Sequence, residues 1–338
     1  MKQIQNSSSE GFSLVELLVA VTLTLVIMGS VMELFRQGVN ASSLAAQRGE
    51  MQQNARIALN LISQDLGSAG TGIPQGGIQL PSGTGASKPT RGCSKANCGI
   101  WEYLADDRLY SVTPGDGLGP TIGGTATDVV SLVYRDISLS LGQAPLVSIA
   151  PSGSEITAQS GSSAGVVSGD ILMLCNANGC AMGVITNTMA NDKIAFAASD
   201  ALSINQPSAA TGNIVSIANP GPPAGNYPPT TACRVLVTTY YIEDSTLRLM
   251  RQVNAHPPVP VAEIVENLQI SYDTFDDATL SATADLPAAG DVPNQIRKVN
   301  ITVAVRSPSA LAQSGKFDRL SLRTSVSVRN LTFRDRYL

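Results

Sequence analysis

Glu16 is the side chain that most needs a chemical reason. It lies in the run over residues 12–35, FSLVELLVAVTLTLVIMGSVMELF, where the only other charged residue is Glu33. A carboxylate about one turn into an apolar helix costs on the order of 2 to 3 kcal/mol in a bilayer core unless something neutralises it. The segment in front, MKQIQNSSSEG over residues 1–11, supplies the means. A cut after Gly11 frees the α-amine of Phe12, and that cation can pair with Glu16 in the same chain or in a neighbouring one. Opposite charges that meet in an apolar medium are held far better than either alone. The pair would also fix the axial offset between adjacent helices. Glu33 sits near the far end of the run with Arg36 three residues on, a spacing that allows pairing on a helix surface or leaves the acid solvated.

Other residues with chemical capacity are sparse. The cysteines are Cys93, Cys98, Cys175, Cys180 and Cys233. Two pairs share an x4 spacing inside Gly/Asn-rich turns, RGCSKANCGI and LMLCNANGCAM. Such turns bring two Cα atoms within disulfide reach, and a four-thiolate zinc site is the alternative. Zinc sites more often use tighter spacing, and an extracytoplasmic location is oxidising. The expectation is therefore two small disulfide loops with Cys233 left over, although pairing is not fixed by sequence and Cys233 can displace a member. His256 is the single histidine and precedes Pro257 and Pro258. That excludes a metal site built on several histidines and leaves a catalytic triad only this residue, so it reads as a loop residue and no enzyme is expected.

Asp273, Asp276 and Asp277 cluster in SYDTFDDATL. An oxygen-rich loop of this kind is a calcium candidate, but the spacing lacks the EF-hand pattern and a solvated acidic loop is the default. No other metal or cofactor is expected. Trp101, near Tyr103 and Tyr110, reads as core filling or a loop anchor, with a small aromatic contact site as the alternative. Tyr240 and Tyr241 are adjacent in a strand-like run, which sends one towards the core and the other to the opposite surface, with core packing as the default role. The net charge is −4 with 22 basic and 26 acidic residues. No direct nucleic-acid binding is expected from such a balance, since those surfaces carry a basic excess.

These residues need elements to position them. A 24-residue apolar helix is about 36 Å long, enough to cross a hydrocarbon core of about 30 Å. Helix-compatible sequence continues to Leu66, with no proline before Pro74. Val39, Ala46, Ala55, Ala58, Leu59, Ile62 and Leu66 share one broad face, while Arg48, Gln52, Arg56 and Asn60 point elsewhere; Gly67 offers the end. The whole helix would have about 55 residues and measure on the order of 80 Å. Its second half is amphipathic and needs a sheet to cover its apolar face. Residues 71–125 are Gly/Pro/Ser-rich and read as long surface loops. Strands are expected at 128–134, 169–175, 181–187, 193–197, 234–242, 246–253, 262–272, 297–306 and 320–333, with a hairpin through the Cys175–Cys180 turn. The class is α+β: one long N-terminal helix packed on an antiparallel β-sheet head with long loops. The organisation is a leader at 1–11, an apolar helix segment at 12–35, its amphipathic continuation at 36–67 and a β-rich head at 68–338. The head divides into a loop-rich insertion at 71–230 and a C-terminal sheet at 231–338.

GFSLVELLVA resembles the type III signal of the type IV pilin and pseudopilin family. In that family a prepilin peptidase cuts after the Gly, here Gly11, and methylates the new N-terminal residue, here Phe12. The acid at the fifth mature position is Glu16 here. The leader departs from the usual pattern in having only Lys2 as a base, together with Glu10. The stretch ARIALNLISQDLGSAG and the strand series VTTYYI, VAEIVENLQISYD, IRKVNITVAVRS and RTSVSVRNL resemble PilW-type minor pilins and the related J-type minor pseudopilins. Major pilins often carry a proline in the first half of the helix, which this chain lacks. The middle, residues 71–230, resembles no family. The resemblance implies a minor pilin that waits as a single-pass protein of the inner membrane with its head in the periplasm. From there it joins a type IV pilus at the cell surface, at or near the tip, and takes part in starting assembly. Its implied partners are other minor and major pilins through the N-terminal helix, the prepilin peptidase and the inner-membrane assembly platform. A minor pseudopilin of type II secretion, or a pilus-displayed adhesin or DNA-uptake module, are the alternatives.

Overall fold

The computed structural model describes residues 13–74, 76–89, 107–218, 229–276, 279–286, 293–311 and 315–331. One helix, α1 (Leu14–Ser68), runs for 55 residues without a break. No proline interrupts it, and its glycines, Gly29, Gly38, Gly49 and Gly67, have open space around them. The end falls at Ser68, and it is Gly70 (φ 84°), not Gly67, that takes the left-handed conformation. The Gly70 amide then donates to the Val133 carbonyl at 2.8 Å, which ties the helix end to the sheet.

Five two-residue strands follow: β1 (Ile78–Gln79), β2 (Arg108–Leu109), β3 (Val112–Thr113), β4 (Thr121–Ile122) and β5 (Thr125–Ala126). Next come β6 (Val130–Arg135), β7 (Ser148–Ile149), β8 (Glu155–Thr157), β9 (Ile171–Asn176), β10 (Gly179–Val184), β11 (Asn187–Met189), β12 (Lys193–Ala195) and the short helix α2 (Ile214–Ala218). The last third holds β13 (Thr231–Glu243), β14 (Arg248–Val253), β15 (Val259–Ala262), β16 (Val265–Asp276), β17 (Ser281–Leu286), β18 (Ile296–Arg306) and β19 (Arg319–Ser327).

Three sheets matter most. A seven-stranded antiparallel sheet is organised around β13, the longest strand. Its residues 235–240 pair with β6; residues 231–235 pair with β9 and 238–243 with β14, in tandem. Asn254 closes the step between those two partners: its amide donates to the Val237 carbonyl, and its Oδ1 accepts from the Val237 amide, both at 2.8 Å. A four-stranded sheet in the order β17-β16-β18-β19 follows in the chain, and a smaller one, β11-β12-β8-β7, lies within the insertion.

One core joins the helix to both large sheets. Met51, Ala55, Ala58, Leu59, Ile62 and Leu66 of α1 meet Val130, Leu132, Tyr240, Ile242, Leu268, Ile270 and the inward side chains of β18. Burying a large aliphatic side chain contributes about 1.5 to 3 kcal/mol, so this seam holds the second half of α1 in place. Val39 and Ala46, expected on the same face, are exposed because the head covers the helix only from about Met51 onward. The insertion adds two further cores, one around Ile78, Leu109, Val133, Met173 and Val235, the other between α2, the small sheet and β9.

Two expectations need correcting. Residues 71–125 are not surface loops throughout: Ile78, Leu109 and Val112 are fully buried. Strands of two residues are too short to show the alternation by which a strand is read. Tyr240 and Tyr241 keep the default role of core packing but do not divide between core and surface. Both are buried, Tyr240 against α1 and Tyr241 against Val129 and Met250, because loop residues cover the second face of the sheet as well.

Candidate functional site

The first half of α1 is bare. Leu14, Leu25 and Phe35 are 80%, 63% and 71% exposed, and the apolar residues between them are comparably open. Its hydroxyls are turned inward onto the helix itself. Thr22 donates to the Val19 carbonyl at 2.9 Å, Thr24 to Ala20 at 2.7 Å and Ser30 to Val26 at 3.0 Å. A polar group satisfied in this way can enter an apolar medium without a free donor. At the far end Glu33 accepts from the Gln37 side chain at 3.1 Å, one turn on. The segment is long and apolar enough to cross a membrane.

Glu16 opens this surface. Its carboxylate accepts from the Ser13 amide at 3.0 Å, and the Ser13 hydroxyl accepts from the Val15 amide at 3.2 Å. Together they form a capping box, which satisfies amides at the helix start that have no partner within the helix. The pattern S-L-V-E carried that signal in the sequence. Glu16 thus has a local task at the helix start, and an acid there also suits the helix dipole. Gly11 and Phe12, the expected cleavage and methylation positions, lie outside the described residues. The Phe12 amine to Glu16 pair is therefore an expectation about the processed chain.

The second half of α1 carries a second acid that the sequence did not single out. Asp65 is buried where the helix meets the large sheet. Its carboxylate accepts from the Tyr240 hydroxyl of β13 at 2.6 Å, the Tyr134 hydroxyl of β6 at 3.2 Å and Arg251 Nε of β14 at 2.8 Å. Arg251 Nε also reaches the Tyr240 oxygen at 3.1 Å. Burial, and then the Asp65 charge, push the Tyr240 phenol well above its ordinary value and the Tyr134 phenol in the same direction. Burial alone would lower Arg251, but Asp65 holds it raised. One acid therefore clamps the helix to three strands at once. Lower down, Arg48 Nε meets Asp318 at 2.7 Å on the surface and draws that carboxyl below its ordinary value.

The cysteine, histidine and aspartate candidates have separate fates. Cys175 and Cys180 face each other across the β9–β10 hairpin and are joined by a disulfide, with Cα atoms 4.2 Å apart. So paired, they have no thiolates for the zinc alternative. Cys93 and Cys98, like Trp101 and Tyr103, lie outside the described residues. Tyr110 is buried. Cys233 is a free, buried thiol, and burial raises its pKa.

His256 lies in the loop after β14 but is not idle there. Its Nε2 is 2.8 Å from Asp170 Oδ1, and the other Asp170 oxygen accepts from Arg234 at 3.1 Å. Arg234 in turn binds Asp136. Gly169 (φ 94°) admits the ring, since a Cβ there would lie 3.0 Å from it. The chain His256–Asp170–Arg234–Asp136 straps this corner onto β9 and β13. Asp273 is engaged by Lys298 and by Asn300 at 2.9 Å. Partial burial would raise its carboxyl, but Lys298, the Asp285 amide and Asn300 hold it below its ordinary value. Asp276 accepts from Thr279 at 2.6 Å, and Asp277 lies outside the described residues. Among the described residues no three metal-ligating side chains converge.

The amino-terminal segment also matches a known pattern. Residues 6–32 match the family model of the prokaryotic N-terminal methylation motif. No curated protein and no solved structure matches the chain. With a leader, an acid at the helix start and a long apolar helix in one segment, the chain carries the amino-terminal methylation motif of type IV pilin-like and pseudopilin proteins.

Proposed function

We propose that this protein is a minor pilin, of the PilW type, that takes part in starting a type IV pilus and sits at or near its tip. The observation that carries the reading is the methylation motif running straight into a helix whose first half has no cover of its own. Such a surface is held by lipid before assembly and by other apolar helices afterwards. Processing after Gly11 gives Phe12 a charged amine one residue before the capping box, within reach of a neighbour's Glu16. The role is structural and not enzymatic, with no required cofactor. Its partners are other minor and major pilins, the prepilin peptidase and the inner-membrane platform. The head lies in the periplasm until the pilus carries it to the cell surface. A placement at the end of the fibre is supported by the bulk of the insertion, which adds two cores and a sheet beside the stalk and would crowd a repeated lattice.

Mass spectrometry of the mature amino terminus, combined with fibre counts in a strain lacking the protein, tests this. The expected result is a chain beginning at methylated Phe12 and a large loss of surface fibres. A mature chain beginning elsewhere overturns the pilin reading. Normal fibres with lost attachment favour the displayed adhesin. Lost secretion with normal fibres favours the minor pseudopilin.

A further inference from the structure

Arg135 differs from the other arginines at the core of the head. Arg234 and Arg251 rest on carboxylates. Arg135, the last residue of β6, has no ion pair among the described residues, and its Nε is buried without a hydrogen-bond partner. A desolvated guanidinium nitrogen without an acceptor is costly. Yet the chain makes room for this side chain. A Cβ on Gly72 would lie 2.9 Å from the Arg135 Cβ and Cδ, and one on Gly142 would lie 2.5 Å from Nη2. The arginine thus runs between two glycines, and a larger residue at either would displace it.

It emerges on a cleft of about 310 Å³ beside the end of α1, lined by Ile73, Pro74, Met173, Cys175, Thr231 and Cys233 together with the two glycines and Arg135. The volume suits a small molecule. The lining is as polar as it is apolar: Ile73, Pro74 and Met173 form the apolar side, and Arg135, Thr231 and Cys233 lie among the polar part. A guanidinium presents paired donors in a plane, a geometry matched by a carboxylate. Among the described residues Arg135 is the one cation of the lining, and a monoanion is the better fit there than a phosphate dianion. We propose that this cleft binds a small carboxylic acid with an apolar body, the carboxylate on Arg135 and the body against Ile73, Pro74 and Met173.

Isothermal titration of the full chain in detergent micelles with isovalerate, and with the uncharged isovaleramide as its partner probe, tests the proposal. Saturable binding of the acid and at least about tenfold weaker binding of the amide are expected, the difference a charge-assisted hydrogen bond makes. Arg135→Gln should weaken the acid about tenfold or more, with cooperative thermal unfolding retained as the check on folding. Arg135→Lys keeps the charge and loses the fork, and should fall between the two. No saturable heat from the wild-type chain, or equal binding of acid and amide, overturns the proposal without reference to any variant. So does an unchanged affinity in both Arg135 variants.

Discussion

The two halves of α1 share one backbone and opposite surroundings. From Leu14 to Phe35 the helix stands clear of the head and displays leucine, valine and isoleucine to its surroundings. From Met51 to Leu66 the same helix buries its apolar face in the main core. Each half has one acid at a key position. In the bare half, Glu16 meets only the helix start beside it. In the packed half, Asp65 is held by side chains from three strands. The lesson is that a buried acid marks where a helix must be held in one register. For Asp65 the partners come from within the chain, and for Glu16 the apolar surface around it calls for partners from outside.

The largest effect that would break this comparison comes from Asp65→Ala. It leaves Arg251 facing a core without its counter-charge and should cost the head about 3 kcal/mol, read from urea unfolding of the full chain in detergent. A cost below about 1 kcal/mol would show that the clamp is not what fixes the helix. Replacing Cys175 and Cys180 together by serine removes a short cross-strand closure and should cost about 2 kcal/mol, with α1 still docked.

Tyr240→Phe keeps the ring and removes one hydrogen bond to Asp65, for about 1.5 kcal/mol. It also tests a pH dependence. The Tyr240 phenol is raised above its ordinary value of 10.0, so the folded state keeps a proton that the unfolded chain loses. Its contribution is complete below about pH 10 and is lost as pH rises further. The variant should flatten that alkaline loss in unfolding curves recorded from pH 8 upward. The smallest effect on stability is expected from Glu16→Ala: the unfolding midpoint of the head should move by no more than about 0.5 kcal/mol, while entry into fibres, scored by immunoblot of sheared pili, should fall sharply. An equal fall in head stability would mean that the two halves are not independent.

The sequence made one side of this comparison plain and hid the other. The apolar run and its acid can be read locally, because every residue of the pattern lies within one segment. The β9–β10 hairpin was legible for the same reason, from the Asn/Gly turn between two apolar runs. Asp65 was not. It resembles any polar residue near a helix end, and its partner Arg251 is 186 residues away. The buried two-residue strands after the helix were read as loops because two residues carry no period. The burial of both Tyr240 and Tyr241 was not legible either, because nothing local reports that Val129 and Leu118 fold over Tyr241. Arg135 was passed over as well, since what distinguishes it is the lack of an acceptor at a site built from four distant segments.

The tandem pairing along β13 has a mechanical meaning. Because β6, β9 and β14 run alongside it in antiparallel register, tension applied along the strand stretches these rungs in parallel, like a glued lap joint, and does not peel them singly. Tyr240, near the end of that joint, hands the load through Asp65 to α1. A pull arriving through α1 would therefore load β13 in shear against three partner strands.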